Sequence, residues 1–202
     1  MPNPGKYALL LVAFVEGLAV MALELSCSRF LAPGFGTSLY VWTGVVAVTL
    51  GALAAGYHAG GVASMRLDRL KLLYVSLGLA AVLIVAMPTT VGFVMEATLP
   101  LGLKLGVTVA VLMFLFPPLF LLGLTSPIII RRVSEYWPDA GRTAGRVYGL
   151  STIGGVIGTP LFGLLVMPHL GLTVGCRIIG SIVGLALLCS LVAGKQAAAE
   201  IG

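Results

Sequence analysis

The sequence predicts an all-α integral membrane protein, a six-transmembrane-helix bundle, and three observations predict it. The chain of 202 residues is 59% hydrophobic and 9% charged, with a mean hydropathy of +1.10. Soluble domains carry about 25% charged residues. The apolar residues form six runs that reach the roughly 20 residues a spanning helix needs. Short segments rich in glycine and proline separate these runs.

The six predicted spans form a single polytopic membrane domain over residues 1–202, with no soluble catalytic domain. They cover residues 7–31, 39–63, 72–97, 105–130, 146–167 and 172–192, each boundary being set to within about 2–4 residues. The first six residues, MPNPGK, lead directly into the first run without a small-residue cleavage site. We therefore expect an anchor and not a removed signal peptide.

Lysine and arginine predict the orientation, because cytoplasmic loops carry an excess of both. Alternating the six spans across a bilayer places nine of the 12 basic residues on one side, with three at or near the other: Lys6, Arg66, Arg69, Lys71, Arg131, Arg132, Arg142, Arg146 and Lys195, against Arg29, Lys104 and Arg177. We expect a multi-pass protein of the cell (inner) membrane with both termini in the cytoplasm. The net charge of +5 does not indicate nucleic-acid binding, because these residues lie in loops.

Glycines and prolines predict how the helices pack and where they bend. Glycines recur four residues apart at 56 and 60, 145 and 149, 154 and 158, and 180 and 184, a spacing that lets helix backbones approach closely. Either tight packing or helix rocking in a transporter explains this pattern. Pro117, Pro118 and Pro127 are expected to break the fourth span. Tyr40, Trp42, Tyr136 and Trp137 are typical of membrane-interface anchors.

Two carboxylates in the first span are the main candidates for a site. A charge within the bilayer is costly, so Glu16 and Glu24 should be paired or face the bundle interior. They lie eight residues apart, about 80° around a helix, and both can face one cleft. Ser28 shares a face with Glu24, while Arg29 is placed to contact another helix or a lipid phosphate. The carboxylates are either structural locks or a subsite for a cation or proton.

Thr125, Ser126 and a group of arginines complete the candidates. Thr125 and Ser126, in GLTSP, either cap freed carbonyls or contact a ligand. Arg131, Arg132, Arg142 and Arg146 form a predicted cytoplasmic basic cluster for lipid headgroups or an acidic partner. The sequence indicates no catalytic residue, metal site or cofactor.

The chain also resembles a known family. The segment from Met21 to Gly61 is similar to the first two spans of the membrane-integrated spermidine synthase-like family. FLLGLTSPIIIRR and GRTAGRVYGLSTIGGVIGTPLFGLLVMPHLG are similar to its fourth and fifth spans. The resemblance implies a link to polyamines. The family's aminopropyltransferase domain has no counterpart in this sequence, so we expect a non-catalytic subunit.

A second, looser likeness is to one half of a major facilitator superfamily transporter. It lies in GGVASMRLDRLK and GGVIGTPLFG. Three functions are therefore kept. The first is a non-catalytic subunit that anchors or partners another component and has a polyamine or other cation as candidate ligand. The second is a half-transporter for a polyamine-like solute, working as a dimer. The third is a structural accessory of a larger complex. Expected partners are the lipid bilayer and a homo-oligomer or hetero-complex with a membrane or synthase-like subunit, and not nucleic acid.

Overall fold

Helices account for nearly all of the chain in the computed structural model, which describes residues 4–135 and 139–199, without the side chains of 4 and 195–199. A one-turn 3₁₀ segment, Leu99–Leu101, precedes α4, and a π-helical segment, Leu161–Val166, follows α6. The helices are α1 Pro4–Phe35, α2 Leu39–Arg66, α3 Arg69–Thr98, α4 Gly102–Phe114, α5 Phe116–Val133, α6 Ala140–Pro160 and α7 Met167–Ala199.

The multi-pass helical class is confirmed, but the predicted count of six spans is wrong. The described residues contain five helical stretches that are long and apolar enough to cross a membrane: Gly5–Phe35, Leu39–Arg66, Arg69–Phe114, Phe116–Val133 and Ala140–Gly194. Two of the predicted separators bend the chain without ending a helical stretch. The predicted span at 105–130 is instead divided at Leu115, between α4 and α5.

The bends lie at two glycines, each in a backbone conformation that other residues rarely adopt. Gly102 has φ 76° and Gly171 has φ 81°, both in the left-handed region. Residues on both sides of Gly102 line one cavity, including Thr90 and Val94 of α3 and Met113 and Phe114 of α4. The chain therefore folds back on itself there. The sequence indicated a turn between the spans predicted at 72–97 and 105–130, but not that helical structure would continue through residues 98–104.

The prolines act differently from one another. Pro117 and Pro118 stand in the first turn of α5, where a missing N–H is tolerated, and they explain the break after Phe114. Pro127 was expected to break the helix as well, and this expectation was wrong, because α5 continues through it to Val133. In an apolar surrounding the backbone has few partners outside the helix, and helical structure persists.

Two helices form the centre of the bundle. The most apolar 18 residues of α1 and of α5 are 61% and 56% buried, against 33% in each of the other three spanning stretches. A carboxylate on the inward face of α1 is therefore surrounded by other helices and not by lipid.

The packing of neighbouring helices fixes which ends lie together. Gly17 of α1 lies against Ser151 of α6, and Gly163, in the π-helical segment, lies against Leu25. These two helices therefore run parallel. Tyr74, early in α3, lies against Gly194 and donates a hydrogen bond to the Ser190 carbonyl, 3.3 Å away, late in α7. The beginning of α3 and the end of α7 share one end of the bundle.

The glycine prediction is confirmed for two of its four pairs. Added Cβ atoms on Gly56 and Gly60 would lie 2.5 and 2.6 Å from backbone oxygens of α5. Gly154 and Gly158 approach α1 in the same way. A Cβ on Gly180 would lie 2.5 Å from Val85, whereas Gly145, Gly149 and Gly184 have open space beside them.

Of the predicted interface aromatics, Tyr40 and Trp42 are exposed on α2, as a lipid-headgroup contact requires. Tyr136 and Trp137 lie outside the described residues.

Candidate functional site

Glu16 is the most deeply buried carboxylate that the structure describes. Its residue is 1% exposed on the central helix α1. The Ser126 hydroxyl of α5 donates a hydrogen bond of 2.6 Å to Glu16 Oε2. Hydrogen bonds to a charged group are stronger than neutral ones, so this contact stabilises both the carboxylate and the packing of α1 on α5. The sequence placed both residues among the candidates without predicting that they meet.

A cavity of about 300 Å³ lies beside Glu16. It is formed by three helices, with α1 as its floor and α2 and α6 as its walls. Its lining is mainly apolar, with hydroxyl groups along α6. The lining residues are Glu16, Gly17, Val20, Met21, Leu53, Tyr57, Ser151, Thr152, Gly155, Val156 and Thr159.

Glu16 is the single residue of this lining that can carry a charge near neutral pH. The hydroxyls of Thr152 and Thr159 donate to carbonyls of their own helix, at 2.8 Å each, to Tyr148 and Gly155. These bonds occupy their protons, and each hydroxyl oxygen keeps a lone pair that can accept a further hydrogen bond. The polar chemistry of the cavity is therefore one carboxylate with oxygen acceptors on the facing helix, a set that suits a cation.

Two tyrosines mark one end of the cavity. The rings of Tyr57 on α2 and Tyr148 on α6 meet edge to face, with centroids 6.2 Å apart and planes at 76°. This geometry is favourable for an aromatic pair. Tyr57 also lines the cavity, so the aromatic pair lies directly beside the space for a ligand.

Glu24 is separate from this site. It is half-buried on α1, does not line the cavity, and forms no hydrogen bond or ion pair within 4–135 and 139–199. The predicted single cleft shared by Glu16 and Glu24 is therefore not formed. The interpretation of Glu24 as a structural lock gains no support, because no arginine or hydroxyl of a neighbouring helix bonds it within the described residues. Ser28, on the same helix, donates its hydroxyl to the Leu25 carbonyl at 2.8 Å.

Ser28 and Arg29 lie together elsewhere. They line a different cavity, of about 200 Å³, with Leu25, Thr37, Val41 and Trp42. Arg29 is exposed, as expected for a side chain that reaches lipid phosphate.

Thr125 is buried on α5, next to Ser126, but serves its own helix. Its hydroxyl donates to the Leu122 carbonyl at 2.6 Å. The predicted roles for this pair were the capping of freed carbonyls or contact with a ligand, and Ser126 instead donates to Glu16, a contact that was not predicted.

One member of the predicted basic cluster, Arg132, forms an ion pair. Glu135 bridges Arg132, near the end of α5, and Arg69, in the first turn of α3. Arg131 and Arg142 are exposed, and Arg146 is half-buried. The Arg142 backbone N–H donates a hydrogen bond of 3.0 Å to the Asp139 carboxylate, which caps α6.

Sequence reasoning missed the residues of α2 and α6 that complete the cavity, chiefly Tyr57, Ser151 and Thr159. A signal for the α6 wall was present. Ser151, Gly155 and Thr159 are spaced four apart and so share one helix face. Nothing in the sequence indicated that this face would meet Glu16.

Comparison of the chain with protein-family models, curated proteins and solved structures finds no match. The resemblance to the spermidine synthase-like family, and the looser one to a half-transporter, therefore stay predictions.

Proposed function

We propose that this protein is a non-catalytic integral membrane subunit that binds an organic cation beside Glu16. One observation carries the proposal: a carboxylate with 1% exposure borders a cavity of about 300 Å³ inside a helical bundle. Ionisable groups at such depth are costly and mark ligand or ion pathways. The single hydroxyl contact from Ser126 leaves the second carboxylate oxygen as an acceptor for an ammonium group.

An amine is the cation class that fits best. The lining offers few oxygen ligands that could replace the hydration shell of a metal ion, while its apolar walls suit carbon. The resemblance to the spermidine synthase-like family motivates polyamines as one set of candidates. We further propose that this subunit lies in the cell (inner) membrane, where it anchors or partners another component.

The test is the thermal stability of the purified protein in lipid nanodiscs, measured with putrescine, spermidine and decylamine. Wild type should be stabilised by at least one amine, because a ligand that binds the folded state raises its stability. Glu16→Gln should weaken that amine's binding by about 10- to 100-fold, the loss of one hydrogen bond to a charged group.

Glu24→Gln is the matched control, since it removes a carboxylate on the same helix outside the cavity lining. It should bind the amine as wild type does. Glu16→Asp keeps the charge and should retain part of the binding. No stabilisation of well-folded wild type by any amine would refute the proposal.

The hydrogen bond between Glu16 and Ser126 also supports a second function, a structural accessory in which Glu16 is only a lock. In that case Glu16→Gln lowers the melting temperature and no amine changes it. Purification in mild detergent would show whether a stoichiometric partner or a homodimer accompanies either role, the homodimer being what the half-transporter proposal requires.

A further inference from the structure

From the shape and polarity of the cavity beside Glu16 we infer that its ligand is a monoamine with an apolar tail. The nitrogen lies at Glu16, and the tail runs between α2 and α6 to the lipid. This inference rests on the proposed cation site and adds the class of cation and its route.

The charge of the cavity selects a single ammonium group. Glu16 is the one carboxylate in the lining. The nearest carboxylate along α1, Glu24, is eight residues away, about 12 Å along the helix axis. It does not border this cavity. A polyamine would have to leave its second and third charges among apolar groups without a counter-charge, which is strongly unfavourable.

The walls of the cavity suit a hydrocarbon tail. Val20 and Met21 of α1, Leu53 of α2 and Val156 of α6 supply the apolar surface. The volume of about 300 Å³ is at the lower end of the range for ligand pockets. An ammonium head with a short stretch of chain fills it, and a longer tail must extend outside.

The tail has an exit toward lipid, because the two walls pack on different helices. Gly56 of α2 lies against α5, whereas Gly154 of α6 lies against α1. At the end near the arginines, the walls are joined by the edge contact between Tyr57 and Tyr148. Farther along, α1 forms the floor, and the lining includes no residue of a fourth helix between the walls.

The rim of this opening belongs to the outer surface of the bundle. Val156 is 67% exposed and also lines the cavity. It lies eight residues beyond Tyr148 on α6, about 12 Å farther along the helix. Thr152 and Thr159, one turn to either side, are exposed too. A surface at this depth of an apolar helix faces hydrocarbon, so the mouth opens sideways into the bilayer.

Tyr57 gives the site a second contact for the head. Tyr57 lines the cavity together with Glu16, and a cation near an aromatic face is attracted to it. A small primary ammonium can contact the carboxylate and the ring together.

The experiment measures equilibrium binding of decylamine, spermidine and decanol to wild type and variants in nanodiscs. Decylamine should bind at least about tenfold more tightly than spermidine, and decanol, which lacks the charge, should bind weakly. Val156→Trp places a large ring at the mouth and should weaken decylamine binding by about tenfold. Ile153→Trp is the control, since Ile153 is 51% exposed on the same helix but outside the lining.

The outcomes separate this inference from the proposed function. Spermidine binding as tightly as decylamine, with both lost in Glu16→Gln, would overturn the inference and leave the cation site standing. Equal binding by Val156→Trp and Ile153→Trp would overturn the lateral route. Failure of every amine to bind would overturn both proposals. Binding of decanol as tightly as decylamine would show a simple apolar groove and overturn the role of charge.

Discussion

The hydrogen bond between Ser126 and Glu16 offsets part of the cost of burying a carboxylate inside the bundle. A buried carboxylate without a partner costs several kcal/mol in an apolar surrounding. The Ser126 hydroxyl lies 2.6 Å from Glu16 Oε2 and connects α1 to α5 across 110 residues of sequence. The sequence identified both residues as candidates by their chemistry. It did not identify them as partners, because a contact between distant helices depends on packing that no local pattern encodes.

At this scale we predict an energetic coupling between the two residues. Ser126→Ala leaves Glu16 without its donor, and Glu16→Gln removes the charge that strengthens the bond. The two changes together should cost less than the sum of the single changes, by about 0.5–2 kcal/mol. Unfolding in mixed micelles of the two single variants and the double variant measures this difference. Strict additivity would show that the charge of Glu16 adds nothing to this hydrogen bond.

Thr125→Ser serves as the neighbouring control. The Thr125 hydroxyl donates within its own helix, to Leu122, so a retained hydroxyl there should not couple to Glu16. Coupling of equal size at Thr125 would indicate a general disturbance of α5.

Among the helices, small residues decide which faces touch. The spacing of glycines predicted close contacts, and it succeeded where both members of a pair face another helix, as Gly56 and Gly60 do. It failed at Gly145 and Gly149, which have no atom within 4 Å of an added Cβ. Spacing along one helix shows that two glycines share a face. It does not show whether that face is turned toward protein or lipid.

We predict that Gly56→Leu destabilises the bundle and Gly51→Leu does not. A Cβ on Gly56 would lie 2.5 Å from the Phe120 carbonyl oxygen, a backbone atom that cannot move aside cheaply. Overpacking of this kind costs about 1–3 kcal/mol. Gly51 is on the same helix with nothing within 4 Å. Thermal unfolding in detergent compares the two variants, and an equal loss in both would contradict the close packing of α2 on α5.

For the molecule as a whole, hydropathy was enough to predict a multi-pass helical protein. It was not enough to predict the number of spanning stretches. The bends at Gly102 and Gly171 lie between predicted spans, but helical structure resumes directly at both of them. The break at Leu115 falls inside the predicted span at 105–130. Glycine and proline mark irregular backbone in a sequence. Whether helical structure resumes directly beyond them depends on the neighbouring helices.

The two longest stretches, Arg69–Phe114 and Ala140–Gly194, bend at Gly102 and Gly171 and do not cross in one straight line. The same packing therefore predicts that the start of α1 and the end of α7 lie on one side of the membrane. The start of α6 lies with the start of α1, Glu135 joins the end of α5 to the start of α3, and the end of α7 lies at Tyr74 of α3. We expect this side to be the cytoplasm, because cytoplasmic ends carry an excess of basic residues. Reporter fusions active on one side only should give the same answer at both termini. Opposite answers would contradict the arrangement of α3 and α7.

The central claim is that Glu16 receives a cation, and the most direct measurement is the stoichiometry of amine binding. Native mass spectrometry of the protein released from nanodiscs, titrated with decylamine, counts ligands on each chain. We predict one decylamine per wild-type chain at low concentration, the same for Glu24→Gln, and none for Glu16→Gln at that concentration. Equal occupancy in wild type and Glu16→Gln would contradict the claim, because the amine would then be bound without the carboxylate.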